Sequence, residues 1–341
     1  MPQNVTIELP IAPRLNSGLA AARERNLEWM RRQALVMGDV AARRYIFSAV
    51  ADLAAYSYPD AEEDDLDLAF DTMGWFFLFD DLFDVPESHE ADEAVDVCKQ
   101  LIEIVSHPWP RAVDHDAPLV RAFADIWRRS GMGMSAEWRS RAAHNWVDYL
   151  TGNLTEEMDR RTWVPKDFAT RMRVGHRTLG LIPSLDLAER VGNFEIPQVI
   201  WHSSHLDSMR RAAVRAVKLI NEVMSLENDD ARGDPNLVHC LMRESDCSRQ
   251  EAIRMAVTLV QAAVDQLGEQ VSWIPQFCSR LRLTDAESEK VQRYAAAMFT
   301  WIRGSYDWSR NNGRYSPRTA SALSSNVTGQ LHPANLTPVA R

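Results

Sequence analysis

Cysteine is scarce: Cys98, Cys240, Cys247 and Cys278 are the only four in 341 residues, and no two form a CxxC pair. That spacing gives no disulfide framework and no zinc ribbon, and it suits reduced thiols in a cytoplasmic protein. Glycine and proline are sparse as well, at 14 and 16, which disfavours a sandwich of many short, turn-linked strands. Lysine is rarer still, with Lys99, Lys166, Lys218 and Lys290 the whole supply. The net charge of −10 leaves no basic face for nucleic acid. No apolar run approaches the ~20 residues that a membrane span needs, and Met1 to Ala20 lacks the basic and apolar regions of a signal peptide. The N-x-[ST] triplets at Asn4, Asn153, Asn326 and Asn335 are then coincidental. No GxxxxGK[ST], GxGxxG or GxSxG is present, so nucleotide-binding and hydrolase readings have no support.

What is there reads as helix. Residues 1–16 carry three prolines and form an expected N-terminal arm; helical periodicity begins at Ser17. It continues through 40–56, 62–84, 90–106, 117–132, 136–160, 166–191, 197–206, 208–230, 248–279 and 284–311. No linker or repeat divides 17–315, so one all-α domain is expected, followed by a disordered tail at 316–341 rich in Ser, Thr, Asn and Pro.

The segment GWFFLFDDLFDV (74–85) sets five bulky apolar residues against Asp80, Asp81 and Asp84. On a helix these carboxylates converge at one end, where they repel each other and oppose the helix dipole. A hard divalent cation such as Mg²⁺ relieves that cost and links carboxylates to phosphates, which lets an acidic protein take an anionic ligand. A solvated acidic helix end is the alternative for this motif taken alone. A second stripe, Asn221, Ser225 and Asp229, recurs every fourth residue and offers three further oxygen ligands on one helix face. Exposed polar positions are its plain alternative. His202, His205 and Asp207 lack a further ligand at useful spacing and read as ordinary histidines, and Glu62–Asp67 reads as a solvated helix start.

Together the two stripes carry a resemblance. DDLFD at 80–84 resembles the aspartate-rich motif of the class I terpene synthases, and N-x3-S-x3-D at 221–229 their second metal motif. Trp308 and the Arg314-Tyr315 pair in DWSRNNGRYS resemble the C-terminal Arg-Tyr element of bacterial members. GHRTLG, WHSSHLDSMR and NEVMS are similar to the bacterial linalool and cineole synthases. The resemblance implies a helical bundle around a deep apolar cavity with three Mg²⁺ ions at its mouth, Mn²⁺ being an alternative. It implies a linear isoprenoid diphosphate as substrate, ionised to an allylic cation with loss of diphosphate. Asp80, Asp81 and Asp84 would hold metal, as would Asn221, Ser225 and Asp229. Arg314 and Tyr315 would bind the diphosphate, while Phe76, Phe77 and Trp308 would face the cation. A homodimer is among the assemblies it allows.

Three positions depart from the family pattern. Asp229 stands for a glutamate, Asn228 for a basic residue, and Gly175 falls where a diphosphate-sensing arginine stands, about 46 residues before Asn221. Arg173 and Arg177 are the nearby substitutes, and Thr178 and Leu179 take the sensor-linked positions. Geranyl diphosphate is the expected substrate, with farnesyl diphosphate beside it. A weakened diphosphate grip favours early water capture, giving an alcohol such as linalool or nerolidol. The rivals are a sesquiterpene cyclase giving a cyclic product and an isoprenoid-binding protein without turnover; chain elongation is disfavoured by the single aspartate-rich motif and the few lysines.

Overall fold

The structure is a computed structural model that describes residues 5–83, 88–107, 116–162 and 166–316. Among these it is all α. The first five helices are α1 Leu19–Arg32, α2 Gly38–Ser48, α3 Leu53–Ser57, α4 Glu63–Asp80 and α5 Ser88–Ser106. Next come α6 Pro118–Ser130, α7 Ala136–Arg161, α8 Phe168–Thr178, α9 Leu181–Val191 and α10 Gln198–Trp201. The last are α11 Ser204–Arg232, α12 Leu237–Ser245, α13 Arg249–Ser272, α14 Ile274–Arg280 and α15 Asp285–Asn311. None of the described helices is long and apolar enough to cross a membrane.

The central element is α4. From Leu68 to Phe76 every side chain is buried, because the helix packs on α1, α3, α6 and α9 at once. A helix apolar all round has no solvent side to offer, and this one puts Trp75 at the heart of an aromatic cluster. The Trp75 ring stacks on Phe79 at 5.0 Å and meets Phe123 at 4.9 Å. Burying each such side chain contributes about 1.5–3 kcal/mol. The one buried charge inside α4, Asp71, is answered by Arg129 at 2.8 Å and the Asn26 amide at 2.9 Å. Its start carries Glu63, Asp64 and Asp65, which suit the positive helix end.

Several boundaries differ from the sequence reading. The helix expected over 62–84 ends at Asp80 and tightens into a 3-10 turn, Asp81–Phe83. The span 166–191 is two helices, because Gly180 takes a left-handed φ of +75° that ends α8 and starts α9. The span 197–206 splits: Gln198–Trp201 is the short α10, and the residues from Ser204 join the expected 208–230 helix in the long α11, because Ser203 caps it by accepting from Leu206 N. Helix α12 was not expected; Asn236, capping Val238 N, is its sequence signal. Residues 5–16 have no regular secondary structure and are docked on the helices: Ile7 is buried and its amide donates to Tyr306 Oη at 3.1 Å. The expected tail beyond residue 316 and the first four residues lie outside the described residues.

Candidate active site

The ends of α4 and α11 and the segment after α15 supply the residues of interest. At the end of α4 the Asp80 side chain is 56% exposed, whereas Asp81 is only 1% exposed. Asp84 lies outside the described residues. Arg314 Nη2 reaches Asp81 Oδ1 at 2.9 Å and stands 3.9 Å from Asp80. Burial opposes the Arg314 charge, yet Asp81, Tyr315 and Asp80 outweigh it and raise its pKa. The guanidinium also lies 5.1 Å above the Phe77 ring.

Across from it, α11 presents Asn221, Ser225 and Asp229. Asn221 Nδ2 donates to Tyr315 Oη at 2.9 Å, so the second motif is tied directly to the Arg-Tyr segment. Burial pushes the Tyr315 hydroxyl up to about 12. Asp229 Oδ2 accepts from Ser225 Oγ at 2.7 Å and from Asn236 Nδ2 at 2.8 Å, and its Oδ1 accepts from Arg232 at 3.0 Å. Burial and the neighbouring Glu222 charge raise the Asp229 carboxyl to about 6. Arg232 and Asn236 were not singled out from sequence. Only the helix-capping position of Asn236 and the i+3 spacing of Arg232 from Asp229 could have pointed to them.

The aromatic residues divide between two clusters. Phe77 is half-buried and meets Trp308 at 5.2 Å, and Trp308 meets Tyr315 at 5.6 Å. Phe76 instead stacks on Trp146 at 5.0 Å, so one face of its ring is already covered. Its edge lies against Gly180, where an added Cβ would come within 3.2 Å. The break after Thr178 and Leu179 thereby sits against the Phe76 ring through Gly180.

Neither arginine offered for the missing sensor stands at Gly175. Arg173 is exposed and contacts only Thr170 among the bonds seen, while Arg177 turns to Asp148 at 2.8 Å and to Thr151. Their positions on α8 point them away from residue 175, which is buried. Nor does Asn228 act as a diphosphate cation; it donates from Nδ2 to the Arg314 carbonyl at 2.7 Å. His202 bonds Gln198 and His205 bonds the Gln270 carbonyl, and no group of three His, Cys, Asp or Glu with metal-binding geometry occurs among the described residues.

The donor set nonetheless fits a hard cation. Asp80, Asn221, Ser225 and Asp229 offer carboxylate, amide and hydroxyl oxygens with no nitrogen or sulfur, the chemistry of Mg²⁺ rather than zinc. Arg314 on the first motif and Arg232 on the second already hold the carboxylates with positive charge.

Comparison with known proteins agrees with this layout. Residues 71–266 match the family model for terpene synthase family 2, C-terminal metal binding. The chain is 41% identical to R-linalool synthase of Streptomyces clavuligerus, over 93% of this chain and 94% of that one. The chain belongs to the terpene synthases. This terpene synthase is also 36% identical to a (−)-β-caryophyllene synthase of Saccharothrix espanaensis that cyclises (2E,6E)-farnesyl diphosphate, over 92% of this chain and 90% of that one. Among solved structures it resembles linalool/nerolidol synthase from Streptomyces clavuligerus in complex with 2-fluorogeranyl diphosphate. The TM-score is 0.80 at 40% identity, with 87% of this chain and all of that one covered. The synthase is thus an enzyme of the class acting on isoprenoid diphosphates, with a metal-binding catalytic region.

Proposed function

We propose that the synthase ionises geranyl diphosphate, and farnesyl diphosphate as well, and ends a short cascade by water capture to give a linalool- or nerolidol-type alcohol. The likeness to R-linalool synthase over nearly the whole of both chains carries this reading. Residues 17–315 form its single catalytic domain, working in the cytoplasm, where the unpaired thiols of Cys98, Cys240, Cys247 and Cys278 suit the reducing conditions.

Asp80, with Asp81 and Asp84 beside it, and the set Asn221, Ser225 and Asp229 are the residues that would hold Mg²⁺. Bound divalent cations supply Lewis acidity toward the charge that develops on the departing diphosphate oxygens. The chain's own groups do the rest. Arg314 donates charge-assisted hydrogen bonds to the diphosphate. The Tyr315 hydroxyl, kept protonated by burial, is a second donor. Phe77 and Trp308 present ring faces toward the apolar chain, where an allylic cation is attracted by about 0.5–2 kcal/mol per ring. The Phe76–Trp146 stack forms the opposing wall and limits how the chain folds.

Farnesyl diphosphate cyclisation is the second reading, favoured by the likeness to the caryophyllene synthase. Separate incubation with geranyl and farnesyl diphosphate and Mg²⁺, followed by gas chromatography–mass spectrometry, tests both. Linalool and nerolidol are the expected major products. A cyclic hydrocarbon as the main product from either substrate overturns the alcohol assignment.

A further inference from the structure

Lys218 is a half-buried lysine beside the candidate site. It lies on α11 three residues before Asn221 and seven before Ser225, on the face of the helix that carries the metal motif. Its side chain is 17% exposed, and its ammonium contacts Glu222 Oε1 at 2.6 Å, about one helical turn nearer the motif. The stem lies against Gly175 on α8. A Cβ at 175 would stand 2.7 Å from Lys218 Cε and 3.2 Å from Cδ, so the glycine gives the lysine stem room that any side chain there would push it out of.

Glu222 has a second partner besides the lysine. Its Oε2 accepts the Leu237 amide at 2.7 Å, at the positive end of α12. That amide keeps one carboxylate oxygen bonded when the ammonium moves away. Burial works against the ammonium, but Glu222, Glu156 and Asp229 outweigh it and keep Lys218 protonated.

We infer that Lys218 is a diphosphate-binding residue, its ammonium exchanging Glu222 for a diphosphate oxygen through the space that Gly175 keeps open. This rests on the reading of the site as one that takes an isoprenoid diphosphate. It fills the position left by the absent arginine with a point charge on α11 instead of a planar fork on α8.

Calorimetric titration with inorganic diphosphate in Mg²⁺ tests it without turnover. Wild type is expected to bind, and Lys218→Met to bind at least about tenfold more weakly, the loss of one charge-assisted contact. Gly175→Ala, which displaces the stem, is expected to weaken binding by a smaller factor. Adding Glu222→Gln to Lys218→Met separates a ligand from a mere counter-ion: the double variant is expected to stay at least about tenfold weak. Wild-type affinity in folded Lys218→Met, or full rescue by Glu222→Gln, overturns the inference. Should Lys218→Met fail to fold by circular dichroism, unchanged affinity in Gly175→Ala overturns it instead. Failure of wild type to bind diphosphate at all would sink the proposed function itself, and this inference with it.

Discussion

Asn228 on α11 donates to the carbonyl oxygen of Arg314 at 2.7 Å, so the residue beside the last metal-motif carboxylate fixes the backbone of the arginine that pairs with the first. This amide and the Asn221–Tyr315 bond join the two halves of the site. Asn228→Ala is expected to leave that carbonyl without its donor and to loosen Arg314, lowering kcat/KM by about tenfold. Steady-state kinetics with geranyl diphosphate checks this. Asn228→Lys, although it restores the family's basic residue, is expected to fall with it unless the ammonium reaches the same carbonyl.

Asp80→Ala and Asn221→Ala are each expected to reduce turnover by several orders of magnitude while leaving helical circular dichroism unchanged. Asp80 is largely exposed and Asn221 bonds only Tyr315 through Nδ2 among the bonds seen, so neither change opens the core. Excess EDTA is expected to abolish turnover of the wild type. Full activity in EDTA would contradict a metal-dependent reaction.

Arg314→Ala has a structural cost as well as a functional one, because Asp81 is buried beneath it. Breaking one side of a buried pair costs about 3–5 kcal/mol. Asp81→Asn added to Arg314→Ala is expected to recover a good part of that, since it removes the stranded charge. Urea unfolding of the two variants measures the stability, and kinetics measures a loss of activity that the second substitution does not restore.

Stability is expected to increase from pH 8 to pH 6 in metal-free protein. Burial raises Asp71 and Glu189 to about 7 and Asp186 and Asp229 to about 6. Carboxylates in the unfolded chain ionise near 4. Between those limits the native state holds more protons, so stability falls as pH rises through the window. For a group near 7 the change from pH 8 to pH 6 is on the order of 1 kcal/mol. His176, lowered chiefly by burial, acts in the opposite sense below its unfolded pKa. Urea midpoints at pH 6, 7 and 8 check the direction, and Asp71→Asn is expected to flatten the profile.

Gly180→Ala combines a strained backbone at φ +75° with a Cβ pressed to 3.2 Å from Phe76. A left-handed non-glycine residue costs about 1–2 kcal/mol, and the wall must shift. The expected outcome is a lower melting temperature together with a changed product ratio, read by scanning calorimetry and gas chromatography.

Much of this site was legible from local pattern. The run of apolar residues ending in Asp80 and Asp81 reports a helix buried all round, and the fourfold spacing of Asn221, Ser225 and Asp229 reports one face of α11. Contacts across the fold were not. Arg314 meets Asp81 over a separation of 233 residues, and no periodicity carries such a pairing. The break between α8 and α9 was partly hidden because GHRTLG keeps helical composition up to Gly180, whose φ alone ends the helix. Helix α12 was missed because it is short and follows the Gly233-Asp234-Pro235 turn. Gly175 was visible as a gap, but its complement Lys218 lies on another helix and reads in sequence as an ordinary position on a polar stripe.

The contact between Gly175 and Lys218 also constrains how this lineage can change. A side chain at 175 collides with the lysine stem, and an arginine there would add a second cation to the same confined space. Shortening Lys218 first leaves neither cation in place. With Lys218 in the role inferred above, conversion to the arginine-bearing arrangement is expected to pass through an impaired intermediate whichever substitution comes first. Related chains should segregate accordingly: glycine at this position accompanied by lysine on α11, or arginine accompanied by a short neutral residue, with mixed pairs rare.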